Sequence, residues 1–332
     1  MKAKTHKTFW SLLAIVTMTG LSAAMAQSEH LYSELDETLL TSEAPPGDSL
    51  HVMDCDGRNL RPFVSHPEYT AHGSPAWNRD GNKLAFDAWR SRRGETYVDA
   101  HIFTCNADGS QLKDLGVGAM PSWSPDGGRL AFSNYSPRGV WLMKADGSER
   151  LLIDSEGCGA EWSPTADEIA YSVGTDIAVL DLKRAARRTL LDDRYSFIFW
   201  GIAWSPSGHA IAFKAETRWG ETELAVVHAE GRAKGFGALL PAALPDMTDL
   251  LHNPCWNPDG RQIIAAVITK ANSARHLYLL DAAGKEPAKP LPGLEKDRWY
   301  NDMAWSPDGT RIVVSTRQTP AGPTVQWLNA PL

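Results

Sequence analysis

The sequence has no surplus of positive charge: 33 Lys and Arg stand against 40 Asp and Glu, a net charge of −7. Nucleic acids and anionic membranes need a basic face, so those partners are not expected. Cysteine is scarce. Cys55, Cys105, Cys158 and Cys255 are far apart and form no CxxC pair. The zinc-ribbon spacing is therefore missing, and four mostly buried free thiols are expected. No apolar run reaches the roughly 20 residues of a spanning helix. The longest, Phe9 to Leu21, has 13. There is no G-x-S-x-G elbow, no H-E-x-x-H, no Gly-rich phosphate loop and no EF-hand loop.

That apolar run has a purpose of its own. Lys2, Lys4 and Lys7 precede it, and Ala24 and Ala26 follow with small side chains. The three-part pattern predicts a secretory signal over residues 1–26, cut after Ala26, and no Cys follows that could carry a lipid. Cleavage removes three lysines and no acid, leaving 30 basic and 40 acidic residues, net −10. An exported protein without a membrane span is expected, periplasmic in a Gram-negative host or else secreted. Residues 27–49 carry Glu29, Glu34, Asp36, Glu37, Glu43 and Asp48 with no Lys or Arg. They read as a solvated acidic extension.

From residue 50 onward the chain repeats itself. PAWNRDGNKLAF, PSWSPDGGRLAF, AEWSPTADEIAY, IAWSPSGHAIAF, PCWNPDGRQIIA and MAWSPDGTRIVV place Trp at 77, 123, 162, 204, 256 and 305. The intervals are 46, 39, 42, 52 and 49 residues. Asn or Ser always follows the Trp, and Leu or Ile always stands seven residues after it (Leu84, Leu130, Ile169, Ile211, Ile263, Ile312). A short apolar stretch ends at Trp; Ser-Pro-Asp-Gly then supplies a turn, since Pro presets φ and Gly accepts the left-handed region. A second apolar stretch follows. Downstream, runs such as HIFTCNADGSQL and VWLMKADGSERL make another hairpin. Four short strands in about 46 residues, six times over, predict an all-β, six-bladed propeller of four-stranded antiparallel blades over residues 50–332.

The W-[SN]-P-D-G-x-x-[IL]-A-F unit, alternating with I-x-x-M-x-A-D-G, resembles the TolB-like β-propeller repeat, a WD40-like Tol-type propeller. The resemblance covers about residues 50–330. It implies envelope work with an envelope protein or lipoprotein as partner. TolB itself carries an α/β domain before its propeller; residues 27–49 are too few for one, so a stand-alone propeller is expected.

Closing the ring requires a late strand to meet an early one. TVQWLNA, residues 324–330, reads as strand C of the last blade. HVMDC and NLRPFV, near residues 51–64, have no strands A and B of their own, so one of them is expected to complete that blade.

Strand parity puts every Asp-Gly turn on one face, where Asp80, Asp126, Asp259 and Asp308 read as turn formers. The other face carries the D-to-A loops that lead to the central channel. His72, Phe199, Trp200, His252, Asn253, Tyr300, Asn301 and Asp302 fall there and are the candidate ligand- or partner-binding residues. Arg90, Arg92, Arg93 and Trp219 add outer-loop groups of the kind enriched at hot spots. His101, His228 and His276 read as strand packing.

No catalytic residue, metal ligand or cofactor is assigned. A non-catalytic, monomeric scaffold binding a protein or envelope component through the channel-mouth face is the leading expectation, with a glycan as the other partner such a mouth would suit. The alternative is a carbohydrate-active or metal-dependent lyase or hydrolase at the mouth, with His72 and His252 beside Asn301 or Asp302 as its metal ligands.

Overall fold

The Trp-centred hairpins form as the pattern requires, and each is the inner half of a four-stranded sheet. The computed structural model describes residues 47–90, 97–240, 242–250, 253–270 and 272–319. Six antiparallel sheets follow one another around a ring. Blade 1 runs Ala71–Trp77, Lys83–Trp89, His101–Asn106 and Lys113–Val117 from the inside outward. Blades 2 and 3 repeat this with inner strands Ala119–Trp123 and Cys158–Trp162. In blades 4 and 5 the inner strand is split, as Tyr195–Ile198 with Ala203–Trp204 and as Met247–Leu250 with Cys255–Trp256. Two short 3-10 turns, Tyr97–Asp99 and Arg232–Lys234, are the described helical segments.

Blade 6 closes the ring. Its inner pair, Arg298–Trp305 and Arg311–Gln318, is completed by Ser49–Asp54 and Arg61–Val64. Ser49–Asp54 pairs with Arg311–Gln318 over six residues, from Ser49 opposite Thr316 to Asp54 opposite Arg311. Two early strands therefore enter the last blade, where one was expected. Strand C is supplied by the start of the propeller, and the expected strand at 324–330 lies outside the described residues. The physical reason is the pattern of burial. Leu50, Val52 and Met53 are at most 4% exposed between blades, a two-sided burial that only an interior strand has.

The repeated letters each have a structural task. Leu or Ile at seven after Trp is 0% exposed in all six blades. These side chains anchor six apolar clusters, one per seam between neighbouring blades, so the core is six wedges around a channel. The Asn or Ser after Trp clamps the turn: the Ser124 hydroxyl, Asn257 amide oxygen and Ser306 hydroxyl each accept the N–H five residues on, at 2.9, 2.9 and 3.0 Å. Asp126 and Asp308 accept a backbone N–H and a Ser hydroxyl within their own turns. These contacts hold the Asp308 carboxyl down at about 2 and the Asp126 carboxyl below its usual range.

The Trp ring ties blades together. The indole N–H of Trp123 donates to Ala76 O, that of Trp204 to Glu161 O and that of Trp256 to Ala203 O, at 3.0–3.1 Å. Each acceptor is the residue before the Trp of the preceding blade. At two other seams that same position captures the backbone N–H of the next Trp through its side chain, Ser122 Oγ for Trp162 and Cys255 Sγ for Trp305. The four cysteines are free thiols; burial pushes Cys105 and Cys255 up to about 12.

Candidate functional site: the channel and its mouth

Each inner strand breaks register about three residues before its Trp. In blades 1, 2, 3 and 6 the break falls at Gly73/Ala76, Ala119/Ser122, Cys158/Glu161 and Tyr300/Met303. In blades 4 and 5 it separates the two pieces of the inner strand. The segments read from sequence as loops before each Trp are thus partly strand, continued beyond a bulge.

A cavity of about 420 Å³ runs along the ring axis and is bordered by all six inner strands. Its wall has three tiers set by the repeat. Toward the loop-rich face, three before each Trp, stand Ser74, Met120, Gly159, Gly201, Asn253 and Asp302. One before each Trp stand Ala76, Ser122, Glu161, Ala203, Cys255 and Ala304. Two after it stand Arg79 and then Pro125, Pro164, Pro206, Pro258 and Pro307, the Pro of each turn. Arg79, where the repeat has Pro elsewhere, reaches across this end and donates to Pro164 O at 3.3 Å.

Glu161 is the single carboxylate of the middle tier. Burial away from water pushes it up to about 8, and the Ser122 hydroxyl only partly opposes this. In the upper tier, Asp302 accepts from Asn253 Nδ2 at 2.5 Å and from Ser74 N–H at 3.1 Å. Burial and the neighbouring Asp87 carboxylate nevertheless raise it to about 6. Asp87 is fully buried. Its Oδ2 accepts from the Tyr97 hydroxyl at 2.7 Å and from Met120 N–H at 2.8 Å. Burial again raises it above the usual carboxylate range, with those hydrogen bonds and the Ser74 hydroxyl pulling back.

Of the eight residues singled out from sequence, Asn253 and Asp302 border the cavity and bond each other. His72 is buried in strand, its Nδ1 3.4 Å from Asp48 O, and desolvation lowers its pKa. Tyr300 is fully buried, with its hydroxyl accepting from Glu295 N–H at 3.0 Å. Asn301 donates to Asp48 Oδ2. Asp48, read from sequence as part of the solvated extension, is pinned there and also lies 3.5 Å from Arg317 Nε. His252, Arg92 and Arg93 lie outside the described residues.

Phe199 and Trp200 belong to blade 4. Phe199 packs edge-on against Phe197 and over the buried Lys214, whose Nζ is 4.1 Å from the ring centre and donates to Leu250 O at 2.5 Å. Trp200 leans over Gly159, where a Cβ would meet Trp200 Cβ at 2.9 Å. With Trp219 in the neighbouring B-to-C turn, 84% exposed, this makes an aromatic rim on the loop-rich face.

Sequence reasoning missed Glu161, Asp87, Lys214 and Ser74. The aligned repeats carried a signal for three of them. Glu161 occupies a position that is Ala, Ser or Cys in every other repeat, and Asp87 and Lys214 are charges ten after Trp, where the others have Ser or Ala. Among the described residues no group of three His, Cys, Asp or Glu side chains is placed to hold a metal ion, and no helix is long and apolar enough to cross a membrane.

No family model matches the chain, and no curated protein matches it in sequence. Solved structures do match it in fold. The putative TolB from Agrobacterium tumefaciens superposes with a TM-score of 0.61 at 18% identity, covering 83% of this chain and 99% of that one. TolB from Acinetobacter baumannii gives 0.56 at 17%, covering 88% and 70%. The Kuenenia stuttgartiensis hydrazine synthase gives 0.52 at 15%, covering 83% and 76%. The solved structures that this chain is similar to thus include TolB-like propellers, and at these identities the likeness concerns the fold.

Proposed function

We propose that the chain is an exported, non-catalytic propeller scaffold that binds a protein of the cell envelope through its loop-rich channel-mouth face. The observation that carries this reading is the aromatic rim of blade 4. Trp219, Phe197 and Trp200 are 84%, 39% and 36% exposed, Trp219 in the B-to-C turn of the blade and the other two in the stretch that leads to channel-lining Gly201. Large aromatics on a rigid scaffold bring much contact area for little lost side-chain freedom, which is why they anchor protein interfaces. The secretory pattern of residues 1–26 and the TolB-like fold agree with envelope work.

The test is capture of solubilised envelope proteins by the purified chain, alongside a Trp200→Ala/Trp219→Ala variant. A specific partner held by the parent and lost by a variant of unchanged melting temperature is the expected result. Equal capture by both would overturn the assignment of this face.

A second reading, a carbohydrate-active enzyme, draws on one observation. Two carboxyl groups bordering the cavity, Glu161 and Asp302, are raised to about 8 and about 6, and perturbed acids in a cavity are candidate acid–base groups. Turnover of an acidic oligosaccharide, abolished by Glu161→Gln, would favour it over the scaffold.

A further inference from the structure

The middle tier of the channel wall is built of small side chains at five positions, Ala76, Ser122, Ala203, Cys255 and Ala304, and of Glu161 at the sixth. Glu161 is half-buried, whereas its strand neighbours Ala160 and Trp162 are 3% exposed, so the surface it keeps is the one that borders the cavity. Among the described residues no basic side chain pairs with it, and the polar group that serves it is the Ser122 hydroxyl. Asp302, one tier nearer the mouth, adds a second carboxyl without a basic partner among the described residues. Arg79 is the one basic residue among the described residues that border the cavity, and it is tied to Pro164 O at the turn end. The space of about 420 Å³ is thus acidic on its mouth side, and its size falls within the roughly 300–1,000 Å³ of small-molecule sites.

The acceptors around Glu161 are already in use. The Ser122 hydroxyl accepts Trp162 N–H at 2.9 Å and donates its own proton to Glu161. Cys255 Sγ accepts Trp305 N–H at 3.3 Å. The carbonyls of Ala76, Glu161 and Ala203 accept indole N–H groups. A primary ammonium brings three N–H donors and a guanidinium five, and each one left unpaired away from water costs free energy. A quaternary ammonium brings charge and no donor. Its charge needs only the carboxylate, and its methyl groups suit a wall of alanine and proline.

We propose that the channel binds a small quaternary ammonium cation, its charge on Glu161 and its methyl groups against the alanines of the same tier. The trimethylammonium group can come from a free solute such as choline or from the headgroup of a phosphatidylcholine. This site goes beyond the aromatic rim and does not rest on it.

The experiment is calorimetric titration of the purified chain with choline. 3,3-Dimethylbutan-1-ol has carbon in place of the nitrogen and is the control for shape; butylamine is the control for charge. The expected result is saturable binding of choline, at least tenfold tighter than of either control. Glu161→Gln should weaken it at least tenfold. Ala203→Leu narrows the channel without touching a charge and should do the same; if it does not fold, Ala76→Leu replaces it. The cation needs the ionised carboxylate, so choline should bind more than tenfold tighter at pH 9 than at pH 6, with no such rise in Glu161→Gln. Of the other groups that border this space, Cys255, raised to about 12, stays protonated across that window, Asp302, at about 6, titrates at its acid end, and Arg79 keeps its charge. Choline binding that is absent, matched by either control, intact in the variants or flat with pH overturns the site.

Dihexanoylphosphatidylcholine, below its micelle concentration, then identifies the source. Binding tighter than that of choline assigns the site to a lipid headgroup, and equal or weaker binding assigns it to a free solute. Because choline is titrated without any partner protein, this site and the aromatic rim can fail separately. Loss of capture in the Trp200→Ala/Trp219→Ala variant with choline binding retained would leave the channel site standing.

Discussion

A single indole nitrogen shows why the repeat keeps Trp and not merely a large apolar residue. Trp204 is 6% exposed and donates to Glu161 O in the preceding blade. Trp204→Phe keeps most of the packing and leaves that carbonyl without its donor. We expect a loss of about 1 kcal/mol, measured by urea unfolding. Glu161 itself is a liability above neutral pH. Its carboxyl is raised from 4.5 to about 8, so between those values the folded protein holds a proton that the unfolded chain has released. Stability therefore falls as pH rises through that window, and the loss is complete above it. Glu161→Gln should match the parent near pH 4 and melt higher at pH 9, by about 2–4 °C for each kcal/mol relieved. A melting difference that is the same at both pH values would show that Glu161 does not titrate in this way.

Among elements, the strands that close the ring matter most. Ser49–Asp54 is a central strand of blade 6 although it lies more than 240 residues from its partner. Leu50 and Val52 fill the seam toward blade 1, and Met53 fills the seam toward blade 5. Burial of each such side chain is worth about 1.5–3 kcal/mol, and net stabilities of domains are about 5–15 kcal/mol. Deleting residues 49–64 should therefore abolish the cooperative thermal transition seen by circular dichroism. An unchanged melting temperature would mean that another segment closes the ring.

For the molecule as a whole, the six seams divide the core, and the channel is left as the one place where all blades meet. The repeat makes the ring nearly symmetric, so function must come from departures from it. Ser74 and Asp87 in blade 1, Asn253 in blade 5 and Asp302 in blade 6 lie together, while Glu161 stands in blade 3 and Lys214 in blade 4. The exposed aromatics gather on blade 4.

The sequence by itself determined the blade. Fixed offsets from Trp encode local events, a turn, a clamp and a buried strand, and such events are decided within about a dozen residues. The number of blades follows from counting them. It also showed that the early strands near residues 51–64 lack partners of their own, but not that both would enter blade 6. Only the tertiary structure decided that pairing, because it joins residues from opposite ends of the chain. The site divides in the same way. Asn253 and Asp302 were legible as polar residues before a Trp. His72 and Tyr300, chosen by the same rule, are buried because the inner strand continues past its bulge. Asp87 lay hidden in an apolar strand, and its nearness to Asp302 arises only when blade 6 is brought against blade 1.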